Sequence, residues 1–384
     1  MSQTQSSKSK WTWLTLTVVG LALAMMVIML FASTLGVGPL YDTRHSQPPA
    51  ADLTGFAALA PIDAHIHIYK DDPAFVSLLQ RLNLRLLNVL VIDDRDPYAK
   101  AIEPQRGDAL KVARSTGGRA VICTTFSPYE FEQPGFAART NHELDADFDA
   151  GAVAVKIYKV MGMEMKSKTG KYVMADDPAF GPIYQHIAAR GRTVLAHLAE
   201  PDSCWQPPNP ASPDYDYYEK NPQEYAYAHP EWPSKAAILD ARDHLLAANP
   251  TLRVIGAHLG SMESDVDEIA KRLDRYPNFA VDTAARVPYF MLQPRDKVRA
   301  FLLKYQDRIL YATDVVVMPK DDTAKALKEW TDNYERDWPY FSTDQMVEYK
   351  GLRYRGLALP APVLAKIFHD NAVRWLPGIA GRPQ

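Results

Sequence analysis

The sequence predicts an α/β protein: a (β/α)8 TIM barrel with an N-terminal transmembrane helix. Three observations predict it. From Pro61 onward, short β-branched runs alternate with amphipathic stretches, the pattern of a parallel sheet wrapped by helices. Eight such runs fall within about 315 residues, the arithmetic of a closed eight-unit barrel. Ahead of them, Trp11 begins an apolar stretch with no charged residue until Asp42, and a bilayer crossing needs about 20 apolar residues. A doubly wound open sheet is the competing architecture, but no G-x-G-x-x-G turn follows the first strand.

The elements follow in order. Residues 1–10 form a polar, Ser-rich tail, and 11–36 the anchor. Lys8 and Lys10 on the N-terminal flank predict that this end stays in the cytoplasm and the rest is exported. A cleaved signal peptide competes with the anchor, yet its apolar region usually spans only about 7 to 15 residues. Residues 37–60, with Gly, Pro and Ser throughout, read as a linker, and 61–384 as the barrel domain. Its strands are PIDAHIHIY, LLNVLVIDD, RAVICTTF, GAVAVKIY, RTVLAHLAE, LRVIGAHLG, NFAVDT and DRILYATD. Helix-like pieces between them include DPAFVSLLQRLNL, FGPIYQHIAARG, SKAAILDARDHLLAANP and SDVDEIAKRLDRYP, several ended by Gly or Pro.

Composition narrows the function classes. The 384 residues are 47% hydrophobic and 23% charged, and 43 Lys+Arg against 46 Asp+Glu give a net charge of −3. Disorder and nucleic-acid binding are therefore not expected. Cys123 and Cys204 allow only one pairing and do not make a disulfide framework.

The chemistry lies in polar residues at the C-terminal ends of otherwise apolar strands, which form the active-site rim of such a barrel. His65 and His67 stand two apart, so the pleat sends both imidazoles to one side. His197 and His258 end the fifth and sixth strands, Lys156 the fourth, and Asp314 the eighth. A lone strand-end histidine is usually structural. The joint pattern predicts a metal site, and imidazoles with a carboxylate suit Zn²⁺, as one or two ions, or Mn²⁺ and Fe²⁺ where oxygen ligands increase. Asp63 is expected to share the strand face of His65 at greater depth, as barrel filling or a partner of the ligands.

These residues resemble the amidohydrolase superfamily, in particular its amidohydrolase-2-type metal-dependent hydrolases, over about residues 60 to 378. His65 and His67 match the first-strand H-x-H, His197 and His258 the fifth- and sixth-strand histidines, and Asp314 the eighth-strand aspartate. Asn371 and Ala372 in IFHDNAVRWLP match the terminal helix. The resemblance implies a metal-activated water attacking an amide, ester, lactone or phosphoester, or in some relatives a metal-assisted decarboxylation. It makes His65, His67, His197 and Asp314 metal ligands, with Asp314 also the proton shuttle. His258 is a further ligand or a donor to the developing oxyanion. The superfamily's two-metal members place a carboxylated lysine on the fourth strand. Lys156 is then a bridging ligand, with His65, His67 and Asp314 on one ion and His197 and His258 on the other. Alternatively Lys156 pairs with Glu200 or binds a substrate carboxylate. Lys159 is disfavoured by pleat parity.

Two rim segments add substrate contacts. The excursion AEPDSCWQPPNPASPDYDYYEKNPQEYAYAHPEWPS reads as a lid or a subunit contact. Glu200, at its start, reaches the metal or substrate or is a solvated acid. Arg286 forks a substrate carboxylate or makes a structural ion pair. The segment from Pro319 to Pro360 exceeds a last barrel helix and is expected over the mouth or against a partner. The leading expectation is a membrane-anchored hydrolase of a small molecule, its catalytic domain on the extracytoplasmic side, with homo-oligomerisation open. A decarboxylase on the same cage is the alternative. A binding protein on an enzyme-derived barrel is the reading from another class, disfavoured because no ligand is missing.

Overall fold

The computed structural model describes residues 51–381. The tail at 1–10, the anchor at 11–36 and most of the linker lie outside the described residues. Among the described residues no helix is long and apolar enough to cross a membrane.

The strand-helix alternation runs β1 (Ile62–Ile68), α1 (Pro73–Arg81), β2 (Arg85–Val89), α2 (Ile102–Ser115), β3 (Ala120–Thr125), α3 (Phe136–Asp149), β4 (Ala154–Ile157) and α4 (Gly181–Ala189). It continues with β5 (Thr193–Ala196), α5 (Lys235–Ala248), β6 (Arg253–Gly256), α6 (Val266–Arg275), β7 (Phe279–Asp282), α7 (Arg295–Lys304) and β8 (Ile309–Leu310). Two residues of β9 (Val316–Val317) precede α8 (Thr323–Ser342) and a hairpin, β10 (Met346–Tyr349) with β11 (Leu352–Arg355). Strands β1 to β8 pair in sequence order and all in parallel, and β9 lies on the free edge of β1. Backbone bonds from Ala64 N to Tyr311 O (3.0 Å), Asp314 N to His65 O (2.9 Å) and His67 N to Val315 O (2.8 Å) join the eighth segment to the first. The sheet is therefore a closed barrel, its last strand interrupted at Asp314.

Local chemistry sets the helix starts. The Asp72 side chain accepts from Ala74 N (2.9 Å) with Pro73 opening α1, a cap that satisfies one of the first-turn donors. Helix α3 escapes a periodicity reading because Thr140 and Asp147 sit in its buried stripe beside Phe136, Leu144 and Phe148. Asp147 is held there by Arg106 and Thr124.

Two expectations are corrected. Strand β1 carries a bulge: Asp63 pairs with Leu86 but Ile66 with Asn88, so one extra residue lies between them. Ile62 and Ala64 consequently pack in the barrel interior with Leu310 and Ala312, and beyond the bulge His65 and His67 take over the inner face. Asp63 thus points outward, where its Oδ2 accepts from Thr313 Oγ1 (2.6 Å) and from Tyr334 on α8 (2.9 Å). It does not fill the barrel, and it meets a histidine only at the backbone, where its Oδ1 accepts the His65 N–H at 3.4 Å. The end of the expected linker is also packed: Thr54–Ala58 is helical, and Phe56 is buried among Tyr311, Tyr334, Trp338 and Phe368.

Candidate metal centre

At the mouth, the hydrogen bonds of the imidazoles decide which nitrogens face the cavity. His67 Nδ1 donates to Val89 O (2.8 Å), and His65 Nδ1 donates to Asp282 Oδ2 (3.0 Å). Each ring then turns an Nε2 lone pair to the same carboxylate, Asp314 Oδ1, at 3.4 Å from His67 and 3.5 Å from His65. Acceptors facing an acceptor repel unless a cation stands between them; the Lys156 Nζ serves the His65 Nε2 at 3.0 Å, which leaves His67 facing Asp314 with no donor between them among the described residues. Donor atoms of His65, His67 and Asp314 all lie within 4.8 Å of one another.

His197 and His258 form a second pair. His258 Nδ1 donates to Ala284 O (3.0 Å), and its Nε2 accepts from His197 Nδ1 (3.2 Å). His197 Nε2 is left buried without a hydrogen-bond partner. That orphaned acceptor is what a metal ligand looks like before metal binds. The expected strand position of His258 is corrected: β6 ends at Gly256, and His258 and Leu259 follow with φ of 58°. Left-handed backbone at non-glycine residues is strained and gathers at functional sites. Ala199, Ser261, Ala285 and Asp314 share it around the same rim. The turn is held by Asp282 Oδ1, which accepts the His258 N–H at 2.8 Å.

The electrostatics favour neutral rings. Burial, then Lys156, keeps His65 well below the ordinary histidine value. Burial, then His258 and Lys156, does the same for His197, and burial brings His258 to about 3. Neutral imidazole is the ligating form. Burial would raise Asp314, but His258, His67 and His65 overcome it and hold the carboxylate well below its usual range. Lys156 is buried with its Nζ 3.0 Å from His65 Nε2. Burial lowers it to about 8. Three of these residues fit a divalent cation, His65, His67 and Asp314, which supply two nitrogens and a carboxylate; His197 lines the same cavity but lies outside that group of three.

The cavity around them is about 490 Å³. Tyr158, Tyr217, Tyr218 and Tyr349 wall it, so both rim segments reach the mouth: the excursion after β5 through Tyr217 and Tyr218, and the β10–β11 hairpin through Tyr349. Lys350 at the hairpin tip donates to Pro213 O (3.2 Å), tying the two together.

Glu200 is buried, not solvated, and its cation is Lys159 rather than Lys156. Lys159 also meets Glu224 at 2.9 Å. Burial opposes its charge, but Glu200 keeps Lys159 well above the ordinary lysine value. Glu200 Oε1 stands 3.7 Å from His197 Nε2. Arg286 lies between Asp214 (3.6 Å) and Glu200 (4.0 Å), the structural ion pair of the two alternatives, although its Nε has no partner. Strand parity discounted Lys159 because the chain turns just beyond β4, at Val160–Met163. Asp282 has no role in the sequence reading, although an acid that ends an apolar strand, as in NFAVDT, is a legible signal. Nothing in the sequence pointed to Glu224, Asp214 or Tyr349. Cys123 and Cys204 are both free and buried.

Comparison with known proteins agrees with this architecture. A family model described as amidohydrolase matches residues 132–378. No curated protein matches the chain. Among solved structures, an uncharacterised TIM-barrel protein from Bordetella bronchiseptica is 16% identical, with TM-score 0.46, over 84% of this chain and 99% of that one. A 2,6-dihydroxybenzoate decarboxylase from Rhizobium has the same identity, score and coverage: 16%, 0.46, 84% and 99%. A dihydroxybenzoic acid decarboxylase from Polaromonas sp. JS666, with bound manganese and 2-nitroresorcinol, is 14% identical, with TM-score 0.49, over 83% and 97%. At such identities none of the three speaks to the chemistry of this chain.

Proposed function

The chain belongs to this amidohydrolase family and is an enzyme of that type, and from that premise we propose that it hydrolyses an amide, ester, lactone or related bond of a small molecule with a divalent metal. The observation that carries the reading is the convergence of His65, His67 and Asp314, in a cavity that the orphaned Nε2 of His197 also lines. Zn²⁺ suits that nitrogen-rich donor set. A bound divalent cation acidifies a water from pKa 15.7 to about 7 and polarises a carbonyl.

The chain's own residues do the rest. Asp314, a quarter exposed to the cavity, takes a proton at its carboxylate and returns it to the leaving group. His258 orients His197, and its Nδ1–H is committed to Ala284 O. Lys156 is proposed as a carboxylated ligand, supported by its burial with no carboxylate within 4.0 Å among the described residues. In that step the Nζ lone pair attacks CO2, an N–C bond forms, one C=O pair moves to oxygen, and the nitrogen loses a proton to solvent. Arg286 and Glu200 face the substrate from the cavity wall.

The test is metal analysis of the purified protein with a panel of lactones, esters and amides. Hydrolysis lost on chelation and restored by metal is expected. A metal-loaded protein that hydrolyses none of them and releases CO2 from carboxylic acids overturns the hydrolase in favour of a decarboxylase. That second reading is supported by Arg286 in the cavity wall, whose Nε has no partner and can donate to a carboxylate.

The anchor at 11–36, with the enzyme outside the cytoplasm, is part of the same proposal and rests on the uncharged run beside Lys8 and Lys10. External protease on cells with a permeabilised outer barrier should digest the barrel. Full protection overturns this topology.

A further inference from the structure

The excursion after β5 walls a second cavity, of about 450 Å³, that shares Tyr218 with the metal cavity. Its size is that of a small-molecule site. Four tyrosines line it: Tyr215, Tyr218, Tyr225 and Tyr289. Their hydroxyls already have acceptors. Tyr218 OH donates to Glu200 Oε2 (3.4 Å), Tyr215 OH to Glu219 Oε1 (3.4 Å), Tyr225 OH to Gln206 O, and Tyr289 OH to Asp214. What the rings still offer a ligand is their faces. Tyr218 and Tyr225 stack at 5.2 Å and 22°, which occupies one face of each and leaves the other, while the Arg286 guanidinium already lies over the Tyr289 ring, 5.8 Å from its centroid.

Charge selects among the ligands such walls could take. No lysine or arginine lines this cavity, whereas two carboxylates do. Asp202 is paired with Lys235 at 2.6 Å, but Glu219 makes no ion pair among the described residues. An aromatic face carries negative potential and attracts an organic cation, the more so beside an unpaired carboxylate. The metal cavity is the opposite case, since Lys159 and Arg286 stand in its wall together with the cation-binding ligands.

We propose that this second cavity binds a small organic cation of the alkylammonium class, held by the faces of Tyr215, Tyr218 and Tyr225 and by the Glu219 carboxylate. The site is separate from the reaction and stands whether or not the hydrolase reading does.

Tetramethylammonium chloride, titrated into the metal-loaded full-length protein, tests it, with tert-butyl alcohol as a neutral probe of similar shape and saturation-transfer NMR as the readout. Saturable binding of the cation is expected, with the alcohol about tenfold weaker. Glu219→Gln and Tyr215→Leu should each weaken the cation about threefold or more. Glu219 is exposed, so that variant leaves the packing alone. Val316→Ala, at an exposed residue that lines the metal cavity and not this one, should leave binding unchanged. Equal binding of cation and alcohol overturns the proposal. So does cation binding that survives Glu219→Gln and Tyr215→Leu, or that is lost in Val316→Ala. Because binding rather than turnover is read, its failure leaves the proposed reaction untouched.

Discussion

The carboxylate of Asp282 lies 3.0 Å from His65 Nδ1, and its other oxygen accepts the backbone N–H of His258 at 2.8 Å. One buried acid therefore orients a first-strand imidazole and holds the strained turn that presents the sixth-strand one. Burial raises Asp282 to about 6, against the pull of His258 and Lys156. Asp282→Asn keeps the shape and removes the charge. Metal affinity should fall about 10- to 100-fold, as for other acids behind a ligating histidine, while the fold persists. Titration against a competing chelator measures it; unchanged affinity would show that Asp282 serves the turn alone.

His67→Ala and His197→Ala should each lower bound metal and activity by orders of magnitude with cooperative unfolding retained. Elemental analysis with thermal melts checks this, and normal metal content in the double variant would end the assignment.

Phe56 anchors residues 51–60 to the barrel through four aromatic neighbours. Phe56→Ala should destabilise the domain by about 3–5 kcal/mol, the range for a fully buried phenylalanine, read by denaturant unfolding. A change below about 1 kcal/mol would mean that this helix is dispensable to the fold.

Asp202 supplies a pH dependence. Burial raises its pKa, but Lys235 and Ser264 outweigh burial and bring it below 3.8. A carboxyl lowered in the folded state contributes stability that is complete above its unfolded value and lost as pH falls through the folded one. Asp202→Asn should therefore shrink the stability difference between pH 5 and about pH 2–3. Thermal melts across that interval check it, and identical acid limbs in variant and parent would refute the pairing.

Much of the site was legible because a polar residue at the end of an apolar strand is conspicuous against its background. His65, His67, Lys156, His197 and Asp314 stand out that way, and a barrel brings all its strand ends to one rim. Loop residues have no such background. Lys159, Asp214, Glu224 and Tyr349 occupy polar or irregular segments, where nothing local marks one side chain as facing the cavity.

The sequence by itself determined the order of the eight strands and the rim at their C-terminal ends, since these follow from periodicity and residue chemistry along the chain. Tertiary structure alone decided which face Asp63 takes, because a bulge is set by register against β2. It alone decided that Glu200 meets Lys159 rather than Lys156, and that Asp282 serves both His65 and His258. Such pairings join residues far apart in the chain, and their distances exist only once eight strands have closed into a barrel.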